Sequence, residues 1–381
     1  MIRLAAVIDT FEADFLARYP DDLTCDHTRA IAAMKRCRTQ ASLKMLAECS
    51  QCAHQRLLPH SCGHRHCPHC QHHESQQWLE RQLQKRVPAD YFLLTFTVPA
   101  EFRGLVQAHQ GVAYDLLLRC AWETVRSFSQ NDKQLRGTPG AIAVLHTNTR
   151  QLDYHPHVHL VMPAAAVDRA TKRWRTKRRG KAAGRYLFSH KALAKVFRAK
   201  MLAGIAAAGL TLPSRHPKEW VVDCKAVGNG ELALIYLGRY LYRGVIREQD
   251  ILSCRHGLVT FQFRNARTGK MERRTVPGAQ FLWLVLQHVL PKGFRRARNF
   301  GFLHPNCKRL IALLQVLLSQ GIPSLRDIKF APRRAADVIT PRAPIVRPCC
   351  GAVMIIVKTR MRPTRSKDTG IAVPSVGRGA L

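Results

Sequence analysis

The stretch His155–Met162 constrains the fold of this chain more than any other segment. Side chains alternate between the two faces of a strand, so His157 and His159 share one face, while Val158 and Leu160 point to the other. The pattern therefore predicts a strand with one core face and one imidazole face. Two imidazoles on one face are half of a metal site, although such a pair could also simply face solvent.

A third imidazole is available on the preceding predicted strand, Ala141–Thr147. If the two strands form a hairpin, His146 lies across from His157. His155 is the alternative third ligand, but Pro156 sets it just outside the strand. A three-imidazole site with open positions would bind Mg²⁺ or Mn²⁺, and nitrogen ligands favour manganese.

Two tyrosines, Tyr236 and Tyr240, lie four residues apart in a predicted helix over Glu231–Leu241. Residues at this spacing share one helical face. A phenol is a weak nucleophile near neutral pH, with a pKa of about 10, but a nearby divalent cation can polarise the phosphodiester that it attacks. The pattern predicts paired nucleophiles, with core packing as the alternative. Arg239 and Arg243 are candidates for binding adjacent phosphates.

Two CxxC pairs, Cys49 with Cys52 and Cys67 with Cys70, predict a structural zinc site. The segment contains too few apolar residues to fold without a metal ion. Nearby residues leave the choice of ligands open, and a second ion is possible; these are Cys62, His64, His66 and His69. The alternative is a set of reduced surface thiols.

The charge of the chain predicts a polyanionic partner. Lys and Arg total 61 against 25 Asp and Glu, a net charge of +36, which favours nucleic acid first and an anionic membrane surface second. No apolar run reaches the roughly 20 residues of a membrane-spanning helix. The first residues do not resemble a signal peptide, so a cytoplasmic location is expected. The basic segment 169–185 is expected to be a loop or arm whose candidates for DNA contact are Lys172, Arg173, Arg175, Lys177, Arg178 and Arg179.

Hydrophobic periodicity predicts an α+β chain in four parts. These are an N-terminal extension over 1–24, a zinc- and DNA-binding module over 25–87, a catalytic domain over 88–330, and a basic, largely disordered tail over 331–381 with a cysteine patch at Cys349-Cys350-Gly351. Helices are predicted over 27–47, 104–129, 190–208, 231–241, 278–290 and 305–319. Strands are predicted over 91–98, 141–147, 157–162, 220–227, 258–263 and 272–276.

Several of these stretches together resemble one known family. The segments Ser61–Cys70, Leu145–Thr147, His155–His159 and Tyr236–Tyr240 are similar to transposases of the insertion-sequence-91 family. So are His288–Phe294, with Arg298 and Gly301 after it, and the cysteine motif in Arg347–Met354. The resemblance covers about residues 25–320. The turn after Thr147 departs from the family, because Asn148 stands where a Trp-Gly pair is common.

The resemblance implies an HUH endonuclease fold, in which a central antiparallel sheet with flanking helices carries the histidine pair on a middle strand. It implies that His157 and His159 bind a metal ion and that Tyr236 and Tyr240 are nucleophiles. It further implies rolling-circle-like transposition in the bacterial cytoplasm, near the nucleoid, with single-stranded DNA at the element ends and target DNA as partners.

Two other functions remain open at this point. A plasmid replication initiator or relaxase of the HUH type shares the same chemistry. A zinc-dependent DNA-binding protein without catalysis would use its tyrosines only for packing.

Overall fold

The computed structural model describes residues 1–52, 54–70, 72–168, 171, 173–177, 187–242, 244–266, 268–320, 345–347 and 350–362. The chain divides into two compact units. Unit 1 comprises Met1–Lys35 and Gly63–Arg342, and unit 2 comprises Arg36–Cys62 and Ala343–Leu381. Among the described residues, no helix combines the length and apolarity needed to cross a bilayer.

The helices and strands of the described residues alternate along most of the chain. The helices are α1 Leu4–Arg18, α2 Cys25–Arg36, α3 His72–Leu83, α4 Arg103–Ala108, α5 Gln110–Asn131, α6 His190–Ala207, α7 Glu231–Tyr242, α8 Gly278–Leu286 and α9 Lys308–Gln320. The strands are β1 Lys44–Cys49, β2 Gln55–Pro59, β3 Tyr91–Thr97, β4 Thr138–Asn148, β5 Tyr154–Pro163, β6 Ala165–Asp168, β7 Arg173–Thr176, β8 Val222–Ala226, β9 Ile251–Arg255, β10 Leu258–Arg264, β11 Met271–Pro277, β12 Ala297–Gly301 and β13 Met354–Met361.

The main sheet of unit 1 has seven strands in the order β7-β6-β4-β5-β3-β8, with β12 also pairing with β4. Every pairing in this sheet is antiparallel. The histidine strand β5 lies in the middle, between β4 and β3. The predicted α+β class is confirmed, and the arrangement is consistent with an HUH fold.

Different helices pack on the two faces of this sheet. Val158, Leu160 and Met162 of β5 pack in one core cluster with residues of α5 and α6. Val161, on the other face, packs with residues of α3, α7 and α9. His157 and His159 alternate with Val158, Leu160 and Met162 along β5. They therefore lie on the opposite face of the sheet, where α7 packs, as the strand periodicity predicted.

A second sheet of unit 1, in the order β11-β10-β9, packs in a third core cluster with α1, α2 and α8. Residues 1–24 are therefore not an extension, because α1 buries Val7, Ile8 and Phe15 in this core. The predicted boundaries at 24 and 87 do not coincide with the division into units.

Unit 2 contains a three-stranded antiparallel sheet in the order β13-β1-β2. Two predictions are corrected here. The predicted helix over 27–47 ends at Arg36, because Lys44–Cys49 pairs with strands on both sides. The tail predicted to be disordered supplies β13. Residues 331–344 and 363–381, together with Cys349, lie outside the described residues.

Other elements are shifted or subdivided relative to the sequence prediction. The helix expected over 104–129 is two helices, α4 and α5, interrupted at His109, whose φ and ψ of −124° and 43° are not helical. The segment expected to be a basic arm contains β7, which pairs with β6. The other expected helices and strands are present, with ends moved by a few residues.

Candidate active site

Three imidazoles converge on the α7 side of the main sheet. The nitrogens of His146, His157 and His159 that could bind a metal ion lie within 4.8 Å of one another. His146 on β4 pairs directly with His157 on β5, as predicted, and Val144 pairs with His159. His155 is not in this group, since Arg103 Nη2 donates to its Nδ1 over 2.9 Å. The structure thus assembles the predicted three-histidine group.

The hydrogen bonds of these imidazoles leave nitrogens available for a ligand. His157 Nδ1 donates to the carbonyl oxygen of His155 over 2.7 Å, which places the lone pair of this ring on Nε2. His159 Nδ1 lies 3.0 Å from Thr95 Oγ1. His146 Nε2 is buried and has no hydrogen-bond partner among the described residues. A buried nitrogen without a partner is costly, and a metal ion would satisfy it.

Burial keeps these histidines neutral at physiological pH. It lowers the pKa of His157 to about 3, with a smaller contribution from His159. Burial likewise lowers the pKa of His159 to about 4 and holds the pKa of His146 well below its usual value. A neutral imidazole is the form that binds a metal ion. This donor set therefore fits a divalent cation.

Both tyrosines of α7 face the histidines. The Tyr240 ring stacks on His146, with centroids 3.3 Å apart and planes 12° apart. The centroid of the Tyr236 ring lies 5.9 Å from that of His159 and 6.1 Å from that of His146. At the start of α7, Gly230 has φ +79°, and a Cβ there would approach the Tyr91 ring to 2.6 Å. Only glycine allows α7 to begin this close to the sheet.

The two phenol groups have different environments. Tyr240 Oη accepts the backbone N–H groups of Thr147, over 3.2 Å, and Asn148, over 3.4 Å, and donates to Asn148 Oδ1. Tyr236 is 47% exposed, and partial burial together with Tyr240 raises the pKa of its phenol. Tyr240 is thus held at the end of β4, whereas the Tyr236 side chain is half-exposed to solvent.

Arg296, which sequence analysis did not identify, completes the surroundings of Tyr240. Its guanidinium carbon lies 4.7 Å from the centre of the Tyr240 ring, and its Nε donates to the carbonyl oxygen of Leu145 over 2.9 Å. The Leu145 N–H in turn donates to the Arg296 carbonyl oxygen. These bonds extend the pairing of β12 with β4 and direct the cation towards the site.

A cavity of about 440 Å³ is lined by both tyrosines, by His146 and His157, and by several cationic side chains. Five arginines of the described residues line it, namely Arg150, Arg239, Arg247, Arg264 and Arg296. The carboxylate in the same lining belongs to Asp250, which pairs with Arg247 over 2.6 Å. Because the histidines are neutral, the net charge of the wall is positive and suits a phosphodiester backbone.

The residues predicted to contact DNA differ in whether they line the cavity. Arg239 lines the cavity. Arg173, Arg175 and Lys177 do not; Arg175 pairs with Asp168 over 3.4 Å, and Lys177 pairs with Asp132 over 2.5 Å. The remaining candidates, Lys172, Arg178, Arg179 and Arg243, lie outside the described residues.

The predicted four-cysteine set is divided between the two units, and zinc binding by these four residues together stays a prediction. In unit 2, Cys49 and Cys52 gather with Cys350, with the three sulfurs within 4.8 Å of one another. The cause is the pairing of β13 with β1, which places the turn before β13 at the end of β1. Cys67 and Cys70 belong to unit 1, where their sulfurs lie within 4.8 Å of each other. Both groups provide thiol donors that suit zinc.

Two of the histidines near the cysteines have other contacts in unit 1. His66 Nε2 accepts the N–H of Leu290 over 3.2 Å, and burial holds its pKa well below the usual value. His69 Nε2 lies 3.0 Å from Glu248 Oε1. In each of these two rings, Nε2 thus has a contact with a protein group.

Comparisons with known proteins identify two families of transposase domains. Residues 140–310 match the family described as "Putative transposase", and residues 7–98 match the family described as "Transposase zinc-binding domain". The chain is 29% identical over 356 residues to "Putative transposase y4qJ" of Sinorhizobium fredii, with 85% of this chain and 88% of the relative covered.

A second relative shows similar coverage. The chain is 28% identical over 324 residues to "Transposase for insertion sequence element IS801" of Pseudomonas savastanoi, with 80% of this chain and 76% of the relative covered. No solved structure matches the chain.

Proposed function

We propose that this chain, which belongs to the insertion-sequence-91 family of transposases, cuts and rejoins single-stranded DNA through its two α7 tyrosines. The observation that carries the proposal is the placement of Tyr236 and Tyr240 against three neutral imidazoles, beside a cavity lined by arginines. A tyrosine pair that served only for packing would not need an adjoining cationic cavity or a buried imidazole nitrogen without a partner.

His146, His157 and His159 would hold a divalent cation, Mg²⁺ or Mn²⁺, beside the tyrosines. When bound, this ion would withdraw charge from the scissile phosphate. The chain itself supplies the rest: the arginines hold the flanking phosphates, and the hydrogen bonds of His157 and His159 fix the ring orientations.

The proposed reaction is a transesterification. A phenol oxygen bonds to phosphorus, the bond from phosphorus to the 3′ oxygen breaks, and the proton lost by the phenol is balanced by the proton gained by the 3′ oxygen. The products are a 5′-phosphotyrosine and a free 3′-hydroxyl. Because the phosphodiester energy is kept in the protein–DNA bond, a 3′-hydroxyl of another strand can reverse the step, which joins two DNA ends.

The different environments of the tyrosines support a division of labour. Tyr236 is half-exposed and makes the first attack, whereas Tyr240, held by Asn148 and two backbone N–H groups, acts in the second. Two N–H donors at Tyr240 Oη also stabilise negative charge on that oxygen, as an oxyanion hole does. Tyr240 is therefore suited to leave again as a phenolate.

The test uses single-stranded oligonucleotides tiled across the DNA that flanks the gene, incubated with Mn²⁺ and the purified chain. A 3′-end label should stay with the protein on a denaturing gel, and a 5′-end label should leave on a fragment with a free 3′-hydroxyl. The double variant Tyr236→Phe/Tyr240→Phe should form no adduct. Tyr19→Phe, which keeps the ring stacked on Trp283, is the matched control and should behave as wild type.

The outcome also separates the remaining functions. Adduct formation by the double variant would reject these nucleophiles, and DNA binding without any adduct would favour a non-catalytic DNA-binding protein. A plasmid initiator or relaxase would form the same adduct, but joining of two element ends into one strand is expected only of the transposase.

A further inference from the structure

The small sheet of unit 2 has very little apolar core. Its β13 residues Ile355, Ile356 and Val357 are 57%, 43% and 48% exposed. Neither β2 nor β13 contributes a residue to any of the three hydrophobic core clusters found among the described residues. A sheet of three strands ordinarily needs a buried hydrophobic face for stability. Another interaction must therefore hold β13 against β1.

Three thiols lie at the end of the sheet where β1 meets the turn before β13. Cys49 ends β1, Cys52 follows in the next turn, and Cys350 precedes β13. Cys49 Sγ lies 3.5 Å from Cys350 Sγ, and all three sulfurs lie within 4.8 Å of one another. Three sulfurs from two segments about 300 residues apart thus share one small volume.

Backbone hydrogen bonds fix both segments in this arrangement. The Cys49 N–H donates to the His54 carbonyl over 2.9 Å, which closes the CxxC loop. The Ser50 N–H donates to the Val353 carbonyl over 3.2 Å, and the Gly351 N–H donates to the Arg347 carbonyl over 2.9 Å. Gly351, at φ +64°, permits the tight turn that carries Cys350. The sulfurs therefore converge through the backbone and not through flexible side chains alone.

Backbone N–H groups are directed at the sulfur of Cys49; they belong to Gln51 and Cys52. Three sulfur donors at this distance can bind one ion between them. Soft thiolate donors select zinc among the common divalent ions.

We propose that Cys49, Cys52 and Cys350 bind one Zn²⁺ ion that fastens β13 to β1, leaving one coordination position for a further ligand. The segment matched to the zinc-binding family ends at residue 98, so a ligand at Cys350 extends the zinc chemistry to a part of the chain outside it. The ion stabilises this sheet in place of the hydrophobic core that the sheet lacks. All three of these cysteines belong to unit 2.

The test compares metal content by native mass spectrometry of the full chain. Cys350→Ser and Cys49→Ser should each lose one zinc per chain relative to wild type, whereas Cys350→His, which retains a zinc donor, should keep it. Cys254→Ser is the matched control, because Cys254 is a partly exposed cysteine of β9 outside both groups, and it should keep the full zinc content. Limited proteolysis should cleave within 345–362 of Cys350→Ser faster than in wild type.

Two outcomes would overturn the proposal. One is an unchanged zinc count in Cys350→Ser. The other is a Cys49–Cys350 disulfide in peptides from protein that was alkylated without prior reduction, because a disulfide would use the same sulfurs without a metal ion. Thermal unfolding of unit 1, followed through its tryptophans, shows whether a variant has lost zinc through general misfolding.

Discussion

The guanidinium group of Arg296 lies over the ring of Tyr240, with its central carbon 4.7 Å from the ring centre. Its Nε donates to the Leu145 carbonyl, one residue before His146 on β4. The cation is therefore fixed beside both the proposed nucleophile and the proposed metal ligands. Its position would stabilise negative charge on a phosphate attached to Tyr240.

Arg296→Ala should slow adduct formation by a factor of roughly 10² or more, the usual effect of removing one donor that stabilises developing charge. Arg296→Lys should recover little of the rate, because lysine lacks the planar group and the Nε donor. The measurement is single-turnover cleavage. Arg295→Ala, which removes the exposed neighbouring side chain, should retain the wild-type rate, and an equal loss there would point to a non-specific charge effect.

The two tyrosines should differ when each is changed alone. Tyr236→Phe should lose the first adduct, because we propose that the half-exposed phenol makes the first attack. Tyr240→Phe should still form an adduct but should fail to join a second strand. Denaturing gels of the cleavage and joining products measure both steps. The reverse assignment, with Tyr240→Phe losing the first adduct, would contradict the proposed order.

Metal binding at the histidines should depend little on pH in the mildly acidic range. Burial lowers the pKa of His157 to about 3 and of His159 to about 4, so these rings remain neutral as the pH falls from 7.5 to 6.0. Protons compete with metal only below the folded-state pKa. Mn²⁺ affinity, measured by calorimetry, should therefore change less than about twofold, whereas three histidines of ordinary pKa, about 6.5, would lose more than tenfold. A tenfold loss would show that the rings titrate near their ordinary values.

DNA binding should depend on salt through the cavity arginines. Each phosphate contact with a single strand contributes about 0.7 to the slope of log affinity against log salt. Arg239→Ala should reduce this slope by about 0.7, because the side chain lines the cavity. Arg175→Ala should leave it unchanged, since Arg175 pairs with Asp168 outside the cavity. Fluorescence anisotropy at several salt concentrations measures the slope for both variants. Equal slopes would show that Arg239 does not contact the DNA backbone.

Gly301 should tolerate no side chain. It has φ +60°, and a Cβ there would overlap the carbonyl oxygen of Pro139 where β12 approaches β4. Gly301→Ala should lower the free energy of unfolding by about 3 kcal/mol or more, combining backbone strain and overlap. Gly269→Ala is the matched control, because Gly269 has φ +70° and open space around its Cβ position; it should cost only about 1–2 kcal/mol. Urea denaturation measures both, and equal losses would show that β12 can shift away from β4.

The sequence was sufficient for the part of the site that depends on local periodicity. Alternation in β5 predicts the shared face of His157 and His159, and a hairpin register predicts His146 opposite His157. Helical spacing predicts that Tyr236 and Tyr240 face the same way. Each of these relationships connects residues that are close in sequence or joined by a short turn.

The parts that the sequence did not predict depend on distant pairings. Arg296 reaches Tyr240 because β12 pairs with β4 about 150 residues earlier, and Cys350 joins Cys49 because β13 pairs with β1. The predicted helix over 27–47 is wrong for the same reason. In the sheet, Lys44–Cys49 pairs with strands on both sides, and these backbone hydrogen bonds would be absent in a helix. Local patterns contain no information about such partners.

The two-sided pairing of β1 also determines when unit 2 can form. During synthesis, residues 44–49 emerge about 300 residues before residues 354–361, which at ribosomal speeds of about 5–20 residues per second is roughly 15 to 60 s. Throughout that interval one edge of β1 has no strand beside it, and an open edge invites pairing with other chains. Among the described residues, the small sheet is therefore the last structure of the nascent protein to close, and a product truncated before residue 354 would keep this edge exposed for its lifetime.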